Sequence, residues 1–229
     1  MFQRDDYLLR MIGQMTEAFA AAIGLRQQKK FEAAYEALDD LLHRLSLPNR
    51  QVLKGLSVPD VIDLLTQRGV VNTDKLIGVS KVLREEAGVA RDEGELEAAS
   101  ASLNKAIRIY AEAVRICRMQ RTALPEAEQL ASMLAEADRR GFGPDACIAL
   151  AYAFEAYGRF DEAENRWFDA MERVSDVAYA TVYDQGEKFY ERLLRMDEAL
   201  LAQGALPAEE VREGLDDFTR RFAPPRASE

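Results

Sequence analysis

Residues 147–172 read CIALAYAFEAYGRFDEAENRWFDAME, and this stretch decides the fold class. Its apolar residues recur at intervals of three and four, which is the period of an α-helix. They are Leu150, Ala151, Phe154, Tyr157, Phe160, Ala163, Trp167 and Ala170. Gly158 stands between the two halves of the pattern, where a glycine allows the chain to turn without steric cost. The stretch therefore predicts two short helices joined by a tight turn, which is a helical hairpin.

The spacing of small and large residues around this turn resembles the tetratricopeptide repeat. That family has small residues on the first helix, a Gly-x-aromatic-x-x-Ala turn, and then an aromatic residue and an alanine one and two turns later. Alanines let two helices approach closely, and large side chains of the neighbouring helix fill the space beside them. The matching residues are Gly158, Phe160, Ala163, Trp167 and Ala170.

Two other segments carry weaker copies of this pattern. One copy comprises Leu83, Ala87, Ala90, Gly94, Leu96, Ala99, Leu103 and Ala106, and the other comprises Phe31, Ala34, Leu38 and Leu41 without the glycine. The anchoring alanines Ala34, Ala99 and Ala163 lie 65 and 64 residues apart, nearly twice the usual period of the family. The resemblance implies antiparallel helix hairpins stacked as a degenerate tetratricopeptide-like superhelical array, with an unrecognised helix pair between successive copies.

Composition agrees with an all-α protein. Hydrophobic residues make up 48% of the chain and charged residues 31%, and apart from short pieces such as 69–71 no segment alternates with the period of a strand. We predict one helical repeat domain over 1–222 and a disordered tail over 223–229, where Pro224 and Pro225 lie. The predicted helices lie near 4–28, 31–45, 58–68, 73–92, 95–121, 125–140, 144–157, 160–173, 176–203 and 207–221.

The cysteines and the start of the chain favour a cytoplasmic location. Cys117 and Cys147 lie in apolar helical settings, and neither belongs to a Cys-x-x-Cys pair. The first residues contain no cleavable hydrophobic signal segment. A reducing compartment is therefore expected.

The first predicted helix is amphipathic, which leaves a peripheral-membrane role open as an alternative. Its apolar face includes Met11, Met15 and Phe19. A membrane surface accepts such a face, but a neighbouring hairpin needs the same face, and the net charge of −10 opposes anionic lipid. Membrane association is therefore not expected.

The predicted helix 95–121 has a seven-residue spacing that resembles a coiled-coil seam. The residues are Leu96, Leu103, Tyr110 and Cys117. A central core helix and a homodimer seam both explain this spacing, and a homodimer stays open.

His43 is the single histidine, and it follows Asp39 and Asp40 on one helix face. Acid and imidazole at this spacing suit metal binding or acid–base chemistry, so an enzyme of unknown type that uses His43 with Asp39 and Asp40 is a second alternative. A carboxylate-bridged metal pair needs a second acid-x-x-His helix, and structural zinc sites need clusters of thiolates and imidazoles. We therefore expect no enzyme, no catalytic residues, no metal and no cofactor.

Basic residues form the recognition surface that the sequence predicts. Lys81, Arg84 and Arg91 fall on positions that would face the inner groove of a tetratricopeptide array, and Arg108, Arg115 and Arg118 form a second stripe. Such residues hold carboxylates or phosphates, or they pair with the surplus of Asp and Glu within the chain. Nucleic acid is not expected, because the chain is acidic and stacking aromatics do not interleave with the arginines.

The opening QRDDYLLRMI over 3–12, with VIDLLTQRGVVNTDKL over 61–76, is similar to an uncharacterised bacterial family of helical proteins that share a QRDY-LRMI start. That resemblance implies a helical fold and supplies no activity. The sequence therefore predicts a cytoplasmic, non-enzymatic helical-repeat adaptor that binds a partner protein or peptide, with acidic groups on the partner.

Overall fold

The computed structural model describes the backbone of residues 2–138 and 141–224 and the side chains of residues 13–138 and 141–224. These residues form twelve α-helices and one short β-hairpin, and 79% of them are helical. The all-α prediction is thus confirmed. The chain divides into two compact units, Met1–Gly141 and Phe142–Glu229. The single domain predicted over 1–222 stays a prediction, and the end of the predicted tail, from residue 225, lies outside the described residues.

The first unit contains seven helices and the β-hairpin within its described residues. In chain order they are α1 (Phe2–Gln27), α2 (Phe31–Arg44), α3 (Arg50–Gly55), α4 (Val58–Leu64), β1 (Thr66–Gln67), β2 (Val70–Val71), α5 (Thr73–Glu93), α6 (Leu96–Gln120) and α7 (Ala127–Glu136). Helices α1 and α2 form one hairpin, and α5 and α6 form a longer one; α5 also packs against α1 and α2.

The second unit contains five helices within its described residues. They are α8 (Pro144–Ala156), α9 (Phe160–Arg173), α10 (Asp176–Leu193), α11 (Glu198–Gln203) and α12 (Ala208–Phe222). Helices α8 and α9 are the hairpin that the opening stretch predicts. Trp167 of α9 is fully buried, and its indole meets the Tyr152 ring edge to face at 5.2 Å. Phe218 of α12 lies directly over Gly186 of α10, where a side chain would find no room.

The three hairpins turn in the same way. In each turn one residue adopts a left-handed backbone conformation, and the N–H of the next residue donates to the carbonyl five positions earlier. The left-handed residues are Lys29, Gly94 and Gly158, with φ of 58°, 99° and 73°. The hydrogen bonds run from Lys30 to Leu25, from Glu95 to Ala90 and from Arg159 to Phe154, at 2.9, 2.8 and 2.9 Å. The second helix of each hairpin begins directly after this motif.

The hairpin interiors follow the predicted alanine pattern. Ala34, Ala99 and Ala163 each lie at the fourth position of a second helix, and all three are buried. The heptad-like residues of α6 are also buried within the chain, except Leu96, which is 66% exposed. Helix α6 is therefore a central core helix, and the inner part of this seam is not available to a second copy.

The N-terminal helix belongs to the body of the first unit. Met15, Ala18 and Ala22 are buried, and Met15 lies over Gly78 of α5. The Met11 side chain lies outside the described residues. None of the described helices is long and apolar enough to cross a membrane.

Several predicted boundaries were wrong. Helix 58–68 ends at Leu64, because residues 66–71 form the β-hairpin, whose turn residues Arg68 and Gly69 both have positive φ. Helix 176–203 is interrupted after Leu193, and Asp197 starts α11 by accepting the Ala199 N–H at 2.8 Å. Helix α3 was not predicted at all. Helix 125–140 ends at Glu136, and residues 139 and 140 of that prediction lie outside the described residues.

The predicted helix pair between the second and third hairpins was also wrong. The described residues there contain the single helix α7. The long spacing between Ala99 and Ala163 arises largely because α6 extends over 25 residues, far beyond a usual repeat helix.

The left-handed turn predicts opposite effects on the free energy of unfolding for substitutions at Gly94 and Lys29. A left-handed residue with a side chain costs roughly 1–2 kcal/mol relative to glycine. An added Cβ at Gly94 would meet no neighbouring atom, so Gly94→Ala isolates this backbone cost. We expect Gly94→Ala to lower the free energy of unfolding by about 1 kcal/mol and Lys29→Gly to raise it by a similar amount.

Urea unfolding followed by circular dichroism measures both effects. Gly55→Ala is the control, because Gly55 has an open surrounding and lies outside the left-handed region. If Gly94→Ala is as stable as Gly55→Ala, the left-handed turn does not contribute as described.

Candidate functional site

Two of the six predicted basic residues line one cleft. Lys81 and Arg84 of α5 face a space of about 330 Å³ between α1, α5 and α7. Its other walls are Phe19, Glu85, Glu128, Gln129 and Ser132. We call this space the α1–α5–α7 cleft. Arg91, the third residue predicted for a groove on α5, does not line this cleft, and the groove itself stays a prediction.

Most of the positive charge on this face of α5 is bound within the chain. Arg84 forms an ion pair with Glu136 of α7 and donates to Ser132 Oγ at 2.7 Å. Arg91 Nη1 lies 3.6 Å from the other oxygen of Glu136. Lys81 forms no ion pair within the described part of the chain. Lys81 is therefore the cation of this face that remains for a ligand.

The second predicted stripe does not join the first. Arg108 and Arg115 line a separate pocket of about 200 Å³ against α4, and Arg115 Nε lies 2.7 Å from Glu112 of its own helix. Arg118 is exposed one turn further along. The six residues therefore do not form one basic surface.

The histidine does not assemble a site with its two predicted partners. His43 is exposed, and Asp39 Oδ2 accepts from Arg50 Nη2 at 3.1 Å. The described residues contain no group of three or more His, Cys, Asp or Glu side chains that could hold a metal ion.

A buried ion cluster that was not predicted from the sequence lies between α2, α3 and α5. Arg50 and Glu86 are only 8% and 3% exposed at their side chains, and Arg50 Nη1 lies 3.2 Å from Glu86 Oε1. Lys54 Nζ lies 3.0 Å from the same oxygen. The Arg50 guanidinium also stands over the Tyr35 ring, 4.3 Å from its centroid. Removing the charge of Arg50 or Glu86 would leave the other charge buried with fewer ion-pair partners. The cluster therefore links α2, α3 and α5.

Hydrogen bonds to backbone groups at both ends of α3 hold Arg50 in this cluster. Asn49 caps the helix by accepting the Val52 N–H at 3.0 Å, and Asp39 accepts the Arg50 N–H at 2.8 Å. At the other end Lys105 Nζ donates to the carbonyls of Leu53 and Lys54, at 2.7 and 3.0 Å. Burial lowers the pKa of Lys105. Both ends of this six-residue helix are thus held by side chains from other elements or by its own cap.

The ion cluster forms part of the wall of a cavity of about 360 Å³. Its lining residues are Glu32, Tyr35, Glu36, Asp39, Arg50, Gln51, Lys54, Glu86, Ala90, Glu95 and Ala98. We call this space the acidic cavity, because five carboxylates line it against two cations. Burial, with a hydrogen bond to Glu93, raises the pKa of Tyr35 to about 12, so the phenol stays neutral there.

One sequence signal did point to this cluster. Glu86 falls between Leu83 and Ala90 on the apolar stripe of α5, at helical spacing from both. A charged residue on such a stripe needs a buried partner. The partner itself has no local signal, since Arg50 precedes Glu86 by 36 residues.

The described residues define an all-α protein of helix hairpins, whose first unit contains the α1–α5–α7 cleft and the acidic cavity. A family model matches residues 1–223, and the chain belongs to that family, described as a family of unknown function (DUF6483). No curated protein and no solved structure matches the chain.

The buried pair predicts strongly non-additive substitutions. Arg50→Met should lower the free energy of unfolding by about 3–5 kcal/mol, because it leaves the Glu86 carboxylate buried with Lys54 as its remaining cation. The double variant Arg50→Met/Glu86→Leu should recover much of this loss, since no buried charge remains unpaired. Urea unfolding of the single and double variants measures the coupling. Additive losses would show that the two side chains act independently.

Proposed function

We propose that this protein is a non-enzymatic, cytoplasmic helical-repeat adaptor whose α1–α5–α7 cleft binds a short acidic segment of a partner protein. The proposal rests on the position of Lys81 in the cleft and on its charge. Lys81 lines the cleft beside the half-buried ring of Phe19 and forms no ion pair among the described residues. Arg84 and Arg91, in contrast, are bound to Glu136.

The cleft offers complementary contacts for a peptide. The Lys81 ammonium supports a carboxylate, and the Phe19 ring supports an apolar side chain next to it. Gln129, whose Nε2 donates to Glu126 Oε2 at 3.1 Å, adds an amide oxygen that can accept a peptide N–H. Glu85 and Glu128, which also line the cleft, disfavour a second acidic group beside them. A segment with one or two carboxylates next to a bulky apolar residue is therefore the expected ligand.

The alternatives have less support. His43 is exposed and Asp39 is bound to Arg50, so no described group orients the imidazole for acid–base chemistry. The described part of the apolar face of α1 packs against α5. A helix that binds a membrane surface would need this apolar face to be free.

Selection of peptides from a random displayed library against the purified full chain tests the proposal. We expect the selected peptides to be enriched in Asp or Glu next to apolar residues. Lys81→Glu should weaken their binding about 10- to 100-fold, because a charge-assisted contact is lost, and added salt should weaken wild-type binding. Lys30→Glu is the control, since it makes the same charge change at an exposed position outside the cleft.

Two results would contradict the proposal. Selected peptides without acidic enrichment would remove the role of Lys81. Equal binding to the Lys81→Glu and Lys30→Glu variants would place the peptide elsewhere on the protein.

A further inference from the structure

The acidic cavity carries more negative charge than its own cations neutralise. Arg50 and Lys54 are its two cations, and both are bound to Asp39 or Glu86. The remaining wall carboxylates, Glu32, Glu36 and Glu95, form no ion pair with described residues. A ligand that enters this space therefore meets three uncompensated carboxylates.

Glu86 supplies an independent sign of a missing partner. Its side chain is 97% buried in the cavity wall, and its Oε1 accepts from Arg50 and lies 3.0 Å from Lys54 Nζ. Its second oxygen, Oε2, is buried and has no hydrogen-bond partner among the described residues. A buried carboxylate oxygen without a donor costs free energy, and a donor that reached it from the cavity would remove that cost.

The arrangement of the carboxylates favours an organic cation over a metal ion. Metal binding needs several ligands that converge on one point, and the described residues contain no group of three acidic, histidine or cysteine side chains with that geometry. Ala90, Ala98 and Tyr35 line the same cavity as the carboxylates and provide apolar surface. Charges separated by apolar surface match ammonium groups separated by methylene chains.

We propose that the acidic cavity binds an extended organic cation with primary ammonium groups, of the aliphatic polyamine class. The ammonium groups would contact Glu36 and Glu95 at the wall and approach Glu86, and the methylene chain would cover Ala90 and Ala98. Lysine side chains of a peptide carry the same chemistry. This site is distinct from the α1–α5–α7 cleft and does not depend on the function proposed for that cleft.

Titration calorimetry with the purified full chain tests the inference, with the triamine spermidine as the probe and Mg²⁺ and a lysine-containing peptide as separate arms. We expect saturable binding of spermidine that weakens about two- to five-fold in Glu95→Gln and again in Glu36→Gln, as for exposed charge pairs. Glu97→Gln is the matched control, because it removes the same charge two residues from Glu95 and outside the cavity. It should bind spermidine like the wild type.

The other outcomes distinguish a specific cation site from attraction to the overall negative charge. Binding of the peptide alone, lost in Glu95→Gln and retained in Glu97→Gln, would keep the site and assign it to lysine side chains. Equal weakening by Glu95→Gln and Glu97→Gln would show attraction to the overall negative charge and would overturn the inference. Equal affinity for Mg²⁺ and spermidine, or no binding in any arm, would also overturn it. Lys81→Glu should leave spermidine binding unchanged, so failure here and failure of the proposed peptide cleft are separate results.

Discussion

Close packing between α5 and α6 is the interaction on which the first unit depends. Alanines face the neighbouring helix along both partners, and Ala87, Ala99 and Ala106 are buried at 2% exposure or less. Small side chains at these positions let the two backbones approach. Ser80 shows how close they come, because its hydroxyl donates to the Ala106 carbonyl of the other helix at 2.7 Å. Larger residues at these positions would separate the helices and displace everything packed on them.

The remaining elements of this unit attach to the α5–α6 hairpin through specific polar contacts. Lys75 donates to the Leu45 carbonyl at 2.7 Å and so holds the end of α2, and Lys105 does the same for α3. Tyr110 donates to the Glu126 carbonyl at 2.8 Å at the start of α7. The α1–α5–α7 cleft and the acidic cavity are both lined in part by α5. Lys81 and Glu86 lie five residues apart on that helix, which turns them toward different sides.

The sequence was informative where an interaction is local in the chain. Gly158 and Ala163 correctly placed a hairpin, because a tight turn and helical spacing involve only neighbouring residues. Lys29 shows the limit of this approach, since its left-handed conformation replaces a glycine and has no signal in the residue type. Helix α3 was missed because six residues are too few to show a helical period. The partner of Arg84 was likewise hidden, because Glu136 lies 52 residues further along the chain.

Charge patterns were therefore the weakest basis for predicting a site. Residues that look free in a sequence can be bound in the fold, as Arg84 is, and residues that look ordinary can be central, as Glu86 is. The burial of each charge and the identity of its partners decide its role, and both depend on contacts between α5 and elements far from it in sequence. Lys81 differs from Arg84 because no carboxylate among the described residues lies within ion-pair distance of it.

Native-state hydrogen exchange read by mass spectrometry tests most directly whether the α5–α6 hairpin supports the first unit. We expect amides in the middle of α5 and α6 to exchange more slowly than all others in that unit, through complete unfolding, so that their opening free energy falls with denaturant as steeply as the global free energy of unfolding does. Amides of α3 should exchange faster, through local opening. Exchange of the α5 and α6 amides as fast as those of α3, or with a weaker denaturant dependence than α1 and α2, would contradict the central role of this hairpin.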